Sequence, residues 1–361
     1  MGPATRYFTQ TTPFSLTRGG ELPQVTLAWE SWGTLNESKS NAILVFTGLS
    51  ASAHAASQPN DPSQGWWEGM IGPNLAIDTH RFFVVCVNSL GSCLGSTGPE
   101  SINPKSGRPW RLSFPEITID DIARAAQLVI DDLGIDTLYG LVGPSMGGMT
   151  ALAWLKAFPK KTQRVALIST ACSSAPFALS IRSVQREAIV TDRNFQDGQY
   201  NEDNWPEVGM RLARKLGMIT YRSAREWDAR FGRKRQDYFP QQAFGMRFEV
   251  ESYLETHARK FVGQFDPCAY LYLSRAMDTF DACDSDESLI QLFTRSFTGH
   301  ALVLGVDSDI LFPAHQQQTL AGALESSGSE VSFEILNSAK GHDAFLVDSK
   351  LFETPIRSWL A

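Results

Sequence analysis

The chain has 361 residues, 43% of them hydrophobic and 20% charged, with a formal net charge of -7. That is enough chain for one large α/β domain with an insertion, or for two domains, and enough apolar residue for a sizeable core. The acidic balance argues against nucleic acid or an anionic membrane surface as the main partner, while a local arginine cluster can still meet an anionic small molecule.

In chain order, Val25 to Ser31 alternates and predicts an early strand. Ala42 to Thr47 and Phe82 to Val87 are continuous apolar runs, as expected of strands covered on both faces of a parallel sheet. Ile119 to Leu133 carries apolar residues at helical spacing, and Gly134 ends it. Leu138 to Val142 reads as a strand, followed by Ser145 and an Ala-rich helix that stops at Pro159; Val165 to Ser169 is a further strand. From about Ser173 to Thr298 the buried runs cease, and segments such as NWPEVGMRLARKLG and RFEVESYLETHARKFVGQF read as amphipathic helices. Strands resume at Ala301 to Val306 and Val331 to Leu336. The pattern predicts a mostly parallel α/β core formed by residues 1–172 and 299–361, with residues 173–298 inserted as a helical lid.

The five cysteines (Cys86, Cys93, Cys172, Cys268 and Cys283) are odd in number and scattered without C-x-x-C or Cys/His spacing, so neither a metal site nor a disulfide framework is expected. The N-terminus lacks an apolar signal core, and no run approaches transmembrane length. A cytoplasmic protein with reduced thiols is expected.

The chemistry is signalled at LVGPSMGGMTALAW, where Ser145 sits in G-x-S-x-G between a buried strand and a helix start. Such a turn needs glycines because the chain crowds itself there, and it lifts the serine oxygen to the helix N-terminus as a nucleophile. A serine needs a base and an orienting acid, in the chain order serine, acid, histidine for this architecture. Of the histidines after Ser145, His257 falls inside a lid helix, His300 precedes a strand at the wrong end of the sheet, and His315 falls in a helix start. His342 follows the last strand at the edge where Ser145 emerges, and is the expected base. LGVDSDILFP offers Asp307 and Asp309 as the acid, and position alone does not choose; the other is expected to cap the helix near Pro313 or serve a similar end. The oxyanion needs two backbone donors, for which the N–H of Met146 and that of Leu49, after the strand AILVFT, are the candidates.

With these residues in place the chain resembles the α/β-hydrolase-fold homoserine O-acyltransferases of methionine biosynthesis. The likeness rests on GWWEGMIGPNLAIDTHRFFVVCVNSLGSCLGSTGPESINP, GPSMGGMTALAW, LARKLGMITYRS, FEVESYLETHARKFVGQFDPCAYLYLSRAMDTFD, SDILFP and GHDAF, and runs from about residue 25 to the C-terminus. It implies Asp309 as the acid, Arg214 for the carboxylate and Asp343 for the ammonium of an amino-acid acceptor, and ping-pong acyl transfer from an acyl-CoA co-substrate without a bound cofactor or metal. It also suggests a homodimer. Two departures stand out. GLSASAH replaces the family's A-L-T-G-D-x-H, which makes Ser52, Ala53, His54 and Ala55 candidates for acceptor specificity, and G-P-S replaces G-G-S. These changes resemble the serine-accepting branch, which makes O-succinylserine for cysteine synthesis. L-Serine and succinyl-CoA are therefore the expected substrates. Homoserine O-acetyl- or O-succinyltransfer and ester hydrolysis are the rivals, the last disfavoured by the Arg214 and Asp343 pair.

A succinyl donor brings a carboxylate that needs a cation in a dry pocket. Succinyl-using homoserine enzymes tend to carry arginine two residues after the catalytic aspartate, whereas this chain has Leu311, as acetyl-using enzymes do. The helix ALSIRSVQREAIVTDR offers Arg182 and Arg186 on one face, and the likeness of QREAI to the family's R-Q-A-I stretch favours Arg186 as the donor-specificity residue.

Overall fold

A computed structural model describes residues 2–237, 243–283 and 287–361. Its main sheet has eight strands: β1 (Arg6–Gln10), β2 (Val25–Trp32), β3 (Ala42–Phe46), β4 (Phe83–Val87), β5 (Gly140–Pro144), β6 (Arg164–Ile168), β7 (His300–Val306) and β8 (Glu330–Leu336). Their spatial order is β1-β2-β4-β3-β5-β6-β7-β8. The β1–β2 and β2–β4 pairs are antiparallel, and every later pair is parallel. This is the α/β-hydrolase architecture that the sequence predicts.

Side chains alternate across each central strand, so every such strand feeds two cores. Leu44, Val85, Leu141 and Val165 face one side, under the helices α1 (Ile119–Asp132) and α2 (Met146–Ala157). Ile43, Val84, Val142 and Ala166 face the other, with Phe352, Ile356 and Trp359 of the C-terminal helix Lys350–Trp359. The start of α1 is fixed by a capping box, in which Thr118 Oγ1 accepts from the Asp121 amide at 3.2 Å and Asp121 Oδ2 accepts from the Thr118 amide at 2.9 Å. The edge strands differ in kind. β1 has no buried residue and no apolar run, which is why its sequence gives no strand signal. The fifth strand starts at Gly140 rather than Leu138, because Leu138 makes only an isolated bridge to Thr162.

Between β6 and β7 lie the helices α3 (Pro176–Val190), α4 (Glu207–Tyr221), α5 (Ala224–Phe231), α6 (Glu249–Phe261), α7 (Pro267–Asp278) and α8 (Leu289–Ser296). α3 packs on α4 and α7, and α4 packs on α6 and on the turn Gly341–Asp343. α8 instead joins the core layer, against α2 and the helix α9 (Ala314–Ser326). No helix among the described residues is long and apolar enough to cross a membrane.

The β5–α2 junction is tightly packed. Ser145 has φ 56° and ψ -124°, a backbone region that L-residues avoid and that surrounding contacts must hold. Its amide donates to Ile168 O at 2.9 Å, and its carbonyl accepts from Thr170 Oγ1 at 2.8 Å. A Cβ on Gly143 would lie 2.3 Å from Gly147 O, one on Gly147 2.6 Å from Phe46 O, and one on Gly148 2.4 Å from Thr170 Cγ2. The glycines around Ser145 are therefore required by close backbone approach. Gly147→Ala is expected to destabilise the fold by about 1–3 kcal/mol through overpacking. Gly322→Ala, on α9 with nothing within 4 Å, should stabilise it by up to about 1 kcal/mol. Chemical denaturation of the two variants checks the opposite signs.

Candidate active site

Three loops at the C-terminal edge of the sheet deliver the three polar groups. Ser145 stands at the end of β5, Asp309 in the loop after β7, and His342 in the turn Gly341–Asp343 after β8. Ser145 Oγ lies 2.8 Å from His342 Nε2, and His342 Nδ1 lies 2.8 Å from Asp309 Oδ2. The other oxygen of Asp309 accepts from the amides of Leu311 at 2.9 Å and Phe312 at 3.0 Å, which fixes the carboxylate plane. Gly341 has φ 66° where the backbone passes under α4, a Cβ there lying 2.8 Å from Tyr221 O. The His342 ring stacks on Phe312 at 5.1 Å and meets Phe345 edge-on at 5.7 Å. Burial alone would lower the His342 pKa, but the adjacent Asp309 carboxylate outweighs it and holds the imidazole above its ordinary value.

Geometry decides the choice that position left open. Asp307 does not cap a helix: it pairs with Arg225 at 2.8 Å and accepts from the Ser338 amide at 3.1 Å. α9 begins at Ala314 and has no side-chain cap at its N-cap residue, Pro313. The remaining histidines stay apart from Ser145. His257 packs on Tyr253 in α6, His300 opens β7 with Nε2 3.0 Å from Ser332 Oγ, and His315 lies in the first turn of α9.

Ser145 and His342 open into a cavity of about 240 Å³ walled by α3, α4, α7 and the loop after β3. Leu49 lies on its wall, and Met146 is the first residue of α2, whose amide has no intrahelical acceptor. The close approach of Gly147 to Phe46 O brings that helix start against the end of β3, from which the Leu49 loop departs.

Charge in the cavity is distributed unevenly. Arg214 reaches the wall with its guanidinium 4.7 Å from the Phe261 ring centre, and its buried Nε has no hydrogen-bond partner. Asp343 also lines the cavity. It is engaged by Arg222, whose Nε lies 3.0 Å from Asp343 Oδ2 and whose Nη1 binds Glu226. Burial raises the Asp343 pKa despite that arginine. Arg222 gave no sequence signal beyond its place after Tyr221. Arg186 is not on the wall: it pairs with Asp278 at 2.6 Å and donates to Ser274 at 3.3 Å, whereas Arg182, one turn earlier, is on the wall together with Leu311.

The loop expected to set acceptor preference is displaced by a few residues. Gly48, Leu49, Ser50 and Ala51 line the inner cavity. Ser52 and His54 instead line an adjoining cleft of about 490 Å³, which shares Ser50, Ala51, Trp66 and Arg214 with the cavity. Ala53 and Ala55 are buried beneath the loop. His54 spans two anchors, Glu30 at 2.9 Å through Nδ1 and Ser63 O at 2.9 Å through Nε2. Burial opposes its charge, but Ser63 O and Glu30 hold its pKa above the ordinary value. Glu30, His54 and Asp61 are the group among the described residues with donor atoms close enough for a metal ion, within 4.8 Å. With both ring nitrogens engaged and the imidazole favoured as a cation, the cluster reads as a buried ion pair that braces the loop.

Residues 41–349 match the model of the α/β hydrolase fold family. A serine O-succinyltransferase from Stenotrophomonas maltophilia is 52% identical over 99% of this chain and 98% of its own. An L-serine/homoserine O-acetyltransferase from Streptomyces lavendulae is 49% identical over 99% and 98%. Among solved structures, a homoserine O-acetyltransferase from Bacillus anthracis has a TM-score of 0.91 at 27% identity, covering 99% of this chain and 97% of its own. Esterase E22 has a TM-score of 0.89 at 28% identity, covering 99% of each. The chain belongs to the α/β hydrolase fold family and, within it, to the serine and homoserine O-acyltransferases, and it is an acyltransferase.

Proposed function

We propose that the protein is an L-serine O-succinyltransferase, converting succinyl-CoA and L-serine to O-succinyl-L-serine and CoA, with Ser145, His342 and Asp309 as its catalytic triad. The observation that carries this reading is the hydrogen-bonded Ser145–His342–Asp309 chain opening into a small cavity that also holds the guanidinium-bearing Arg214 and a carboxylate, Asp343. The near-full-length likeness to proteins named for succinyl transfer to serine supports the choice of substrates.

Ser145 Oγ attacks the thioester carbonyl while His342 Nε2 takes its proton. The oxyanion is met by the amides of Met146 and Leu49. Collapse breaks the carbon–sulfur bond, the proton on His342 passes to the departing thiolate, and an acyl-serine remains. The acceptor's hydroxyl then gives its proton to His342 and attacks the acyl carbon. The second collapse releases the O-acyl amino acid, and Ser145 Oγ recovers the proton. Arg214 suits the acceptor's carboxylate, and the Asp343 oxygen not held by Arg222 suits its ammonium. A hydrolase has no use for such a zwitterion clamp. In this reading the acyl group and the amino acid meet in the inner cavity that holds Ser145, and CoA enters by the outer cleft that shares Ser50, Ala51, Trp66 and Arg214 with it. Leu311 on the wall favours one second reading, an acetyl donor, because no cation stands at that position.

Acetyl-CoA and succinyl-CoA, each offered with L-serine and with L-homoserine, separate the readings by thiol release. Succinyl-CoA with L-serine is expected to be fastest, and homoserine slower but not excluded, since one methylene is worth only about 1–3 kcal/mol. A preference for homoserine or acetyl-CoA contradicts the corresponding substrate.

The base must be neutral to accept a proton, and Asp309 raises its pKa. Activity should therefore be lost on acidification through a midpoint above the ordinary imidazole value of about 6.5. Asp309→Asn should cut kcat by about three to four orders of magnitude and move that midpoint down. An unmoved midpoint would mean that His342 is not the titrating base.

A further inference from the structure

We propose that Arg222 is a positioning residue for the acceptor: it holds the Asp343 carboxylate by one oxygen, leaves the other for the cavity, and keeps Asp343 from pairing with Arg214. The inference rests on the reading of Asp343 as the partner of the acceptor's ammonium, and names the group that holds that carboxylate in place.

The chain leaves α4 at Arg222, whose extended backbone (φ -115°, ψ 153°) ends the helix, and Ser223 then caps α5. This junction is stitched to the turn that carries His342. Ser223 Oγ donates to Ala339 O, Lys340 Nζ lies 3.1 Å from Glu226 Oε1, and Arg222 Nε lies 3.0 Å from Asp343 Oδ2. Arg222 Nη1 also meets both oxygens of the buried Glu226, at 3.0 and 3.1 Å. Glu226 is thus shared by Arg222 and Lys340, so it does not cancel the Arg222 charge. Two cations face two carboxylates, and Arg222 is the member that binds both. A guanidinium suits that place, because its planar fork binds two groups in fixed directions.

Asp343 needs such a holder. It lines the cavity directly after the catalytic histidine, and burial disfavours its charged form. The groups that act on it are Arg222, His342 and Arg214, with Tyr221 beside them, and Arg222 opposes the effect of burial most. Arg214 lines the same cavity, yet among the described residues no ion pair joins it to Asp343. Opposite charges left loose in one small cavity would neutralise each other. With Asp343 anchored to Arg222, each stays available to one end of a zwitterion.

The test separates the two half-reactions. The first turnover of CoA release without acceptor reads the donor step, using whichever of succinyl-CoA and acetyl-CoA the wild type takes faster. Steady-state turnover against L-serine concentration reads the acceptor step. Arg222→Leu should lower kcat/KM for L-serine by about 10- to 100-fold, the range for losing a hydrogen bond to a charged group. The loss should come through a higher KM rather than a lower kcat, with the donor step near wild type. The deciding readout is a double-mutant cycle. Asp343→Asn should itself lower kcat/KM for L-serine, and adding Arg222→Leu should cost little more, because the arginine acts through the carboxylate. Arg222→Gln carries the same cycle if thermal melting shows the leucine variant to be unfolded. An unchanged kcat/KM in Arg222→Leu, losses that multiply in the double variant, or a donor step that falls with the acceptor step would each overturn the proposal. An Asp343→Asn enzyme that uses L-serine as wild type does overturns the reading of Asp343 itself, and the role of Arg222 with it.

Discussion

The site depends on one backbone constraint, the forced turn at Ser145. Its positive φ places the side chain at the head of α2, clear of the sheet, and the conformation persists because three glycines let β3, β5 and the loop after β6 close around it. The same closeness presses the first turn of α2 against the end of β3. The position of Ser145 and the placing of the Met146 amide against the end of β3 thus come from a single packing event. Asp309 and His342 come from the loops after β7 and β8, the next two strands beyond β6 in the same sheet. Parallel strands end at one edge, so residues far apart in sequence meet there, and their hydrogen-bond distances follow from sheet register.

Charge is the second organising element. The chain as a whole is acidic, yet Arg182 and Arg214 reach the wall of the cavity and Arg222 binds the Asp343 that lines it. Two of these arginines are already committed to aspartates, Arg182 to Asp278 and Arg222 to Asp343. Among the described residues Arg214 has no aspartate or glutamate as a salt-bridge partner, and it rests on an aromatic face. Such a site is prepared for an anionic group at Arg214 and for a second one wherever a guanidinium nitrogen remains free. Fold alone does not set the acceptor, since an esterase shares the architecture at a TM-score of 0.89. The charged groups that α4 and the turn after β8 bring to the cavity are what point toward an amino acid.

The central strands were legible because a strand buried on both faces is written as an unbroken apolar run, as in AILVF and FVVCV. β1 was not, because an exposed edge strand needs no apolar residue to pair. Ser145 was legible from its glycines, and His342 from chain order and elimination. Asp307 and Asp309 sit two residues apart in one loop, and nothing local separates them. Arg225, which takes up Asp307, comes from α5, in the helical segment between β6 and β7. Arg182 and Arg186 pose the same difficulty on a helix: spacing places both on one face, and only the packing of α7 shows which one reaches the cavity. The acceptor loop has no period to read, so the inner wall fell at Ser50 and Ala51 while the sequence difference pointed to Ser52 through Ala55.

The central claim is that Ser145 carries the acyl group between donor and acceptor. Incubating the protein with succinyl-CoA alone, quenching in acid and mapping the modified peptide by mass spectrometry tests it most directly. One succinyl group on Ser145, absent in Ser145→Ala and discharged when L-serine is added before the quench, is the result the account requires. Succinylation of a cysteine instead, or acyl transfer that proceeds in Ser145→Ala, would contradict it.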